Sequence, residues 1–329
     1  MQLLVTGGAG FIGSHYVRGV LGDAWGLSVP DRVTVLDKLT YAGSLANLAP
    51  VRDDERLRFV QGDICDGPLV DELLADTHAV VHFAAESHVD RSILGAADFV
   101  VTNVVGTQTL LDSALRRGLG AFVHVSTDEV YGSIEHGSWD EQQPLEPNSP
   151  YSASKAASDL IARSYFRTHG LPVCVTRCSN NYGPYQFPEK VVPLFVTNLL
   201  DGATVPLYGA GANVRDWLHV DDHCRAVHLV LEGGRPGEVY NIGGGTELSN
   251  RELTQRLLAA CDADWDRVVS VEDRLGHDLR YSVSTAKIAA ELGYAPQVDF
   301  EQGLTETVGW YAAHREWWEP LKQRAQLTR

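Results

Sequence analysis

The feature that most constrains the fold is a glycine-rich turn near the amino terminus. Gly7, Gly10 and Gly13 separate an apolar run, residues 2–6, from an amphipathic stretch, residues 12–21. This spacing favours a strand that turns tightly into a helix, with the second glycine admitting a pyrophosphate and the third allowing close helix–strand packing. Free N–H groups and the dipole at a helix N-terminus favour phosphate. The turn therefore predicts a dinucleotide site, and a plain structural turn is the alternative.

Apolar runs alternate with helical patterns through the first half of the chain. Strands are predicted at residues 2–6, 32–36, 58–61, 79–84, 122–126 and 171–177. Helices are predicted at residues 12–21, 68–75, 92–117 and 153–169. Near-continuous apolar strands are typical of a parallel sheet buried on both faces, and the alternation implies right-handed βαβ units. The predicted fold class is α/β, a Rossmann-like doubly wound parallel sheet over residues 1–178.

The pattern changes in residues 179–329. Turn-rich loops at residues 180–185 and 208–211 accompany helices predicted at residues 191–200, 221–231, 250–261 and 285–292. Aromatic residues between 310 and 318 have roughly helical spacing and are expected to pack against the same part. We expect a smaller, loop-rich lobe that mainly binds substrate, with the chain crossing back to the first lobe.

Composition and charge exclude several classes of partner. With 43 acidic and 27 basic residues the formal net charge is −16, which disfavours binding to nucleic acid or to anionic membranes. No apolar run approaches the ~20 residues of a membrane span, and the N-terminus lacks the pattern of a signal peptide. Five scattered cysteines without a C-x-x-C motif indicate reduced thiols and a cytoplasmic location.

No metal site is expected. His219 and His223 have metal-like spacing, but the glutamate of a zinc protease is missing. A structural role is favoured for both histidines, with Asp221 or Asp222 as the N-cap of the following helix.

Two strand ends carry candidate cofactor contacts. Asp37 ends the second predicted strand, where a carboxylate can accept hydrogen bonds from an adenosine ribose and would repel a 2′-phosphate. NAD is therefore predicted in preference to NADP. Asp63 and Ile64 end the third strand and are placed to meet adenine, although a simple strand-end turn is nearly as good an interpretation.

Candidate catalytic residues lie at a helix start and a strand end. Tyr151 and Lys155 have the i, i+4 spacing that puts both side chains on one helix face. A nearby ammonium and a nicotinamide cation would favour the phenolate and so create a base near neutral pH. Thr127 ends a strand, and Asp128 and Glu129 follow it. Two adjacent carboxylates indicate additional proton chemistry, with a solvated loop as the alternative.

These motifs together resemble the extended short-chain dehydrogenase/reductase family over nearly the whole chain. Within it, residues 37–43, 84–92, 126–132, 180–190, 215–217 and 276–278 are similar to the nucleotide-sugar 4,6-dehydratases. Epimerases of this family usually carry small or neutral residues where Asp128 and Glu129 stand. The chain departs from the family at Leu275, where proline is common, so the path of the loop near Arg274 and His277 is not predicted.

The resemblance implies an NAD-dependent hydro-lyase acting on a nucleotide diphospho-hexose, first of all dTDP-glucose, which would lose water to give dTDP-4-keto-6-deoxyglucose. Tyr151, with Thr127 and Lys155, would serve oxidation at C4. Glu129 would remove the C5 proton, Asp128 would protonate the departing C6 hydroxyl, and the hydride would return to C6. The alternatives are a dehydratase for another nucleotide-sugar, a 4-epimerase and a non-catalytic NAD-binding sensor; loss of these catalytic residues would favour the sensor, and all are present.

The resemblance also implies binding residues and an assembly. The cofactor residues would be Gly7, Gly10, Phe11, Ile12, Gly13, Asp37, Lys38, Thr40, Asp63, Ile64, Phe83, Ala84, Ala85, Thr102, Tyr151, Lys155 and Asn181. The substrate residues would be Ser87, Thr127, Asn180, Glu189, Lys190, Val191, Pro206, Tyr208, Arg215, Asn250, Arg274 and His277. Lys190, Arg215 and Arg274 are cations that would offset the negative charge of a diphosphate. The alternative is that each is an ordinary solvated cation at the surface. Helices 92–117 and 153–169 would form a four-helix homodimer interface.

Overall fold

A computed structural model describes residues 1–273 and 276–327. The strands are β1 (Gln2–Thr6), β2 (Arg32–Asp37), β3 (Leu57–Gln61), β4 (Ala79–His82), β5 (Ala121–Thr127), β6 (Val173–Cys178), β7 (Asn180–Tyr182), β8 (Val205–Tyr208), β9 (Val214–His219), β10 (Val239–Ile242), β11 (Glu247–Ser249) and β12 (Val268–Val271). The α-helices are α1 (Phe11–Leu21), α2 (Gly67–Leu74), α3 (Val89–Leu94), α4 (Ala97–Phe99), α5 (Thr107–Arg117), α6 (Pro150–His169), α7 (Val191–Leu200), α8 (Val220–Gly233), α9 (Asn250–Ala260), α10 (Ala286–Leu292), α11 (Phe300–Ala313) and α12 (Arg315–Leu327). Short 3₁₀ helices cover Leu45–Val51, Asp128–Tyr131 and Trp265–Arg267, and a π-helix covers Val100–Gly106.

A parallel sheet of seven strands forms the centre of the molecule, in the order β10-β6-β5-β4-β1-β2-β3. Its inner strands are buried along their length because helices cover both faces, and this explains their continuous apolar sequences. One face packs on α1 and α8, and the other on α2, α5 and α6. The predicted α/β fold with a doubly wound parallel sheet is confirmed.

The sheet takes its seventh strand from beyond residue 178. Strand β10 pairs in parallel with β6, and α8 shares an apolar core with α1 through Val227, Val230, Val17 and Val20. The first lobe is therefore completed by a returning segment of the chain. The division into a unit of residues 1–178 and a unit of residues 179–329 stays a prediction.

Two small sheets, β11-β9-β7 and β12-β8, and helices α7, α9, α11 and α12 build the second lobe. The predicted helices in this half agree with the structure within two residues at nearly every end, and the aromatic tail forms α11 and α12. Strands β7, β9 and β11 contain polar and charged residues and lack the continuous apolar runs by which the central strands were predicted. In the described part of the chain, no helix has both the length and the apolar character that crossing a membrane would require.

The predicted continuous helix over residues 92–117 is wrong. The chain instead forms α3, α4, the π-helix and α5 in succession, and Gly95 ends α3 with an extended backbone (φ −162°, ψ 100°). In the π-helix, the Asn103 amide donates to the Glu86 carbonyl and to Ser154 Oγ. A π-helix is often found next to a functional site, and this one contacts both the loop after β4 and helix α6.

Helix α6 begins three residues earlier than predicted. Ser149 Oγ accepts a hydrogen bond from the Ser152 N–H, and Pro150 occupies the first helical position, where its missing N–H costs nothing. The early start places Tyr151 in the first turn of the helix, close to the end of strand β5.

A buried ion pair connects helix α6 to strand β6 of the central sheet. Arg177 on β6 donates from Nε to Asp159 Oδ2 on α6 (2.9 Å) and from Nη1 to the Tyr131 hydroxyl (2.7 Å). His124 Nε2 lies 3.3 Å from the other carboxylate oxygen, and the side chains of the ion pair and of His124 are inaccessible to solvent. Burial alone would raise the pKa of Asp159, but the His124 hydrogen bond and the Arg177 charge lower it to about 2.

We predict that Asp159→Asn lowers the free energy of unfolding at pH 7 by about 3 kcal/mol, because it leaves a buried guanidinium without its counter-charge. Since the folded-state pKa is depressed, this stabilisation is present above about pH 4 and is lost as the pH falls towards 2. Urea unfolding followed by tryptophan fluorescence measures the change. Asp71→Asn, which removes an ion pair at the surface, is the control; equal small losses in both variants would contradict the prediction.

Candidate active site

A cavity of about 710 Å³ opens at the carboxyl ends of the parallel strands. Its wall includes Gly7 after β1, Asp37 at the end of β2, Asp63 after β3, Phe83 after β4 and Thr127 at the end of β5. Doubly wound sheets bind ligands at this edge. Every predicted site residue in the described part of the chain lines the cavity. Arg274 and Leu275 lie outside the described residues.

The glycine turn packs closely against the protein backbone around it and leaves no room for side chains at Gly7 and Gly13. Gly7 has a φ of +69°, and a Cβ placed there would lie 2.5 Å from the Ala84 nitrogen. A Cβ at Gly13 would lie 2.3 Å from the Gly7 carbonyl oxygen. No side chain caps the first turn of α1, whose N-cap is Gly10. These features fit the pyrophosphate of the expected dinucleotide.

Asp37 lies beside the turn. Its Oδ2 accepts a hydrogen bond from the Ala9 N–H (2.9 Å) and its Oδ1 accepts one from the Leu39 N–H (2.8 Å). Burial raises the pKa of Asp37, while these two bonds oppose the shift. Each carboxylate oxygen keeps a further acceptor position for a ribose hydroxyl. Across the cavity mouth, Lys38 Nζ pairs with Asp63 Oδ2 at 2.7 Å.

Tyr151 and Lys155 are both buried in the cavity wall at the start of α6. Lys155 Nζ donates to the Val125 carbonyl oxygen at 2.8 Å, which fixes the ammonium on strand β5. Burial raises the pKa of Tyr151, the Glu129 charge adds to the rise, and a hydrogen bond with Thr127 opposes it. The expectation that the Lys155 ammonium and a nicotinamide cation favour the phenolate stays a prediction. A second cation beside the ring would oppose the rise.

Asp128 and Glu129 occupy different environments, although they are adjacent. Asp128 is 2% exposed, and burial, followed by the charges of Glu129 and Asp216, raises its pKa well above the usual value. Glu129 Oε2 accepts a hydrogen bond from Ser152 Oγ at 3.1 Å. Carboxyl groups whose environments differ in this way can divide the roles of acid and base. The arrangement therefore favours proton chemistry over a solvated loop.

Two of the cations predicted to bind the substrate, Lys190 and Arg215, line the cavity. Lys190 Nζ donates to the Ser87 carbonyl oxygen at 2.8 Å. The Arg215 guanidinium lies 4.2 Å from the centre of the Tyr281 ring and donates to the Asp278 carbonyl oxygen. Both side chains are cations of the kind that bind phosphate groups by charge-assisted hydrogen bonds.

Two charged side chains in or next to the cavity wall, Glu86 in the loop after β4 and Arg91 in helix α3, were not predicted from the sequence. Arg91 Nη2 pairs with the buried Glu189 at 3.1 Å, and its guanidinium lies 3.7 Å from the centre of the Tyr41 ring. Glu86 also lines the cavity, and burial raises its pKa. The signal was present, because residues 84–92 belong to the runs that carry the resemblance, but no role was assigned to Glu86 or His88.

His219 and His223 serve structural contacts. His219 Nδ1 accepts a hydrogen bond from the Asp221 N–H and caps α8, so the predicted aspartate cap is wrong. His223 Nδ1 lies 2.9 Å from Asn181 Oδ1. Among the described residues, no three His, Cys, Asp or Glu side chains are grouped to hold a metal ion.

The chain is similar to known proteins over its whole length. The family model described as GDP-mannose 4,6 dehydratase matches residues 4–307. A dTDP-glucose 4,6-dehydratase from Streptomyces antibioticus is 66% identical over 325 residues, which are 98% of this chain and 96% of the relative.

Solved structures agree with these matches. DesIV, a dTDP-glucose 4,6-dehydratase from Streptomyces venezuelae solved with NAD bound, has a TM-score of 0.97 and 66% identity, covering 98% of this chain and all of that chain. A UDP-glucose 4-epimerase from Thermotoga maritima is more distant, with a TM-score of 0.87 and 31% identity over 95% of this chain and 99% of that one. On the family model and on these full-length similarities, the chain belongs to the GDP-mannose 4,6-dehydratase family.

Proposed function

We propose that the protein is an NAD-dependent hydro-lyase that converts dTDP-glucose to dTDP-4-keto-6-deoxyglucose and water. The proposal rests on the pair of carboxyl groups Asp128 and Glu129, which line the cavity together with Tyr151 and Lys155. Asp128 is buried, and Glu129 accepts a hydrogen bond from the Ser152 hydroxyl. Relatives of 66% identity with the name dTDP-glucose 4,6-dehydratase support this substrate. A cytoplasmic location is consistent with five free cysteine thiols.

The residues of the chain divide three proton transfers among them. Tyr151, oriented by Thr127, takes the proton of the C4 hydroxyl, and Lys155 supports the resulting phenolate. Bound NAD⁺ supplies hydride acceptance at C4 and hydride return at C6. The C4 ketone acidifies the C5 proton, which Glu129 removes. Asp128, kept protonated by its raised pKa, donates a proton to the C6 hydroxyl as it leaves. With the hydride returned to C6, a proton returns to C5 and completes the product.

A 4-epimerase is less well supported by the same residues. Epimerisation removes a hydride from C4 and returns it to C4, and needs no proton transfer at C5 or C6. In an epimerase, Asp128 next to Glu129 would then have no role in the reaction, although burying its carboxyl group costs free energy. Asp128 and Glu129 therefore favour dehydration.

Single substitutions should stop the reaction at different points. Tyr151→Phe should prevent oxidation, so no NADH absorbance develops with dTDP-glucose. Glu129→Gln should allow some oxidation without exchange of the C5 proton in D₂O. Asp128→Asn should still oxidise the sugar at C4 and exchange the C5 proton. It should eliminate water 10²–10⁴-fold more slowly than the unmodified protein, because this factor is the usual contribution of a general acid.

Glu135→Gln removes an exposed carboxylate a few residues further on and is the matched control. Turnover by Glu129→Gln at the rate of this control would contradict the assignment. The acid role of Asp128 also predicts that elimination falls as the pH rises through the raised pKa of that group.

Asp37 should determine the choice of cofactor. The purified protein should carry NAD⁺ and bind NADP⁺ at least roughly tenfold more weakly, because the carboxylate repels a 2′-phosphate. Asp37→Asn should reduce the ratio of the NADP⁺ dissociation constant to the NAD⁺ dissociation constant. Asp53→Asn changes a carboxylate on an exposed loop and should leave this ratio unchanged. Titration of the apo-protein with each nucleotide measures the ratio, and tighter binding of NADP⁺ by the unmodified chain would overturn the role of Asp37.

We also propose a homodimer. The π-helix and α6 pack against each other, and this region presents the exposed apolar residues Leu94, Val100, Val101, Val105 and Leu160. Leu94 is 86% exposed and Leu160 56%. An apolar group of this kind marks an interaction surface, and two copies related by a two-fold axis would cover it with the same residues from the partner.

The dimer should sediment as one species at micromolar concentration. Leu160→Glu should shift it to monomer, because a charge in an apolar interface loses its hydration without a partner. Val269→Glu places a charge at a similarly exposed position on β12 and should remain dimeric. A monomer for the unmodified chain at this concentration would refute the proposal.

A further inference from the structure

The C-terminal helix α12 contacts the loop that follows strand β2. Leu321 and Ala325 on α12 form an apolar cluster with Phe187, and Tyr41 and Ala42 pack against that cluster. The loop after β2 also supplies cavity-lining residues, among them Thr40 and Gly43. A segment near the end of the chain therefore supports the wall at which the dinucleotide binds.

A chain of hydrogen bonds joins α12 to the glycine turn itself. Trp317 Nε1 donates to Asn47 Oδ1 at 3.0 Å, and Asn47 Nδ2 donates to the Ala9 carbonyl oxygen at 2.8 Å. Asn47 is 1% exposed, so water does not compete for its amide. The Asn47 carbonyl oxygen in turn accepts from Arg18 Nη1 on helix α1.

Ala9 is held on both sides by these contacts. Its N–H is bonded to Asp37 Oδ2, and its carbonyl oxygen accepts from Asn47 Nδ2 and from the Ser44 N–H. Ala9 directly precedes Gly10, the N-cap of α1, so its orientation determines where the free N–H groups of the first turn point. Trp317 orients the Asn47 amide by occupying its oxygen.

We propose that Trp317 and Asn47 are positioning residues, which hold the glycine turn in its dinucleotide-binding shape and thereby slow the dissociation of NAD⁺. This inference rests on the proposed function. A retained cofactor suits a reaction in which the hydride leaves C4 and returns to C6 of the same sugar, because NAD⁺ is regenerated in every cycle and need not exchange.

The test is the rate at which NAD⁺ leaves the protein. Full-length protein is loaded with radiolabelled NAD⁺ and chased with an excess of unlabelled NAD⁺. Trp317→Phe keeps an aromatic ring and removes the donor, and it should release NAD⁺ about three- to tenfold faster, the effect expected for one buried hydrogen bond. Asn47→Asp keeps the acceptor for Trp317 but loses the donor to Ala9, and should release NAD⁺ at least as fast.

Trp318→Phe is the matched control. Trp318 is the next residue on α12, and its Nε1 donates to the Tyr311 carbonyl oxygen within the second lobe (2.7 Å). This variant should lower the melting temperature but change the release rate less than twofold. The double variant Trp317→Phe/Asn47→Asp should release NAD⁺ no faster than Asn47→Asp alone. Once the bond from Asn47 to Ala9 is lost, the bond from Trp317 to Asn47 can no longer affect the glycine turn.

Two results would overturn the inference. A release rate for Trp317→Phe equal to that of the unmodified protein, with only a lower melting temperature, would show a purely structural tryptophan. Effects of the two substitutions that multiply in the double variant would show that Trp317 does not act through Asn47. Failure of the unmodified protein to bind NAD⁺ would refute the proposed function itself and this inference with it.

Discussion

Two buried cationic side chains fix helix α6 to the strands below it, and the catalytic geometry depends on them. Arg177 binds Asp159 on the helix, while Lys155 reaches from the helix to the Val125 carbonyl oxygen. Both cations are out of water, so each needs its partner in place. The first turn of the helix, with Tyr151, is thereby held next to Thr127 at the end of β5. Rotation of the helix would break both contacts at once.

Burial also gives the carboxyl groups of Asp128 and Glu129 different surroundings. In water, adjacent aspartate and glutamate side chains would both ionise near pH 4. In the cavity, Asp128 is buried near Glu129 and Asp216, so its neutral form is favoured, and Ser152 donates a hydrogen bond to Glu129. The acid and the base that we propose are thus two neighbouring carboxyl groups in different surroundings. In a chain with a net charge of −16, Lys190 and Arg215 place two cationic side chains in the wall of the same cavity.

The sequence was sufficient for the parts of this site that depend on local pattern. Strand β1, the glycine turn and α1 follow from the spacing of the first residues, and Asp37 follows from its place at a strand end. Tyr151 and Lys155 follow from their i, i+4 spacing, whereas most of the substrate-binding residues came from the resemblance to a known family. The structure brings all of them that it describes to one cavity.

Features that depend on contacts between distant segments were not predictable. Gly95 is a local signal for the end of α3, but the π-helix forms where Asn103 bonds to the loop after β4 and to α6, contacts that lie outside residues 92–117. The Trp317–Asn47 bond joins residues 270 positions apart. The raised pKa of Tyr151 likewise results from burial among residues of several elements, and helical spacing to Lys155 could not reveal it.

In the proposed reaction, one hydride leaves C4 of a nucleotide-sugar and returns to C6 of the same molecule after water has been lost. This transfer is measured by incubating the purified protein with dTDP-glucose that carries deuterium at C4 and analysing the product by mass spectrometry and NMR. We expect a product that has lost one water and carries the deuterium at C6. Deuterium released to solvent, or a product of unchanged composition that differs only in configuration at C4, would contradict it.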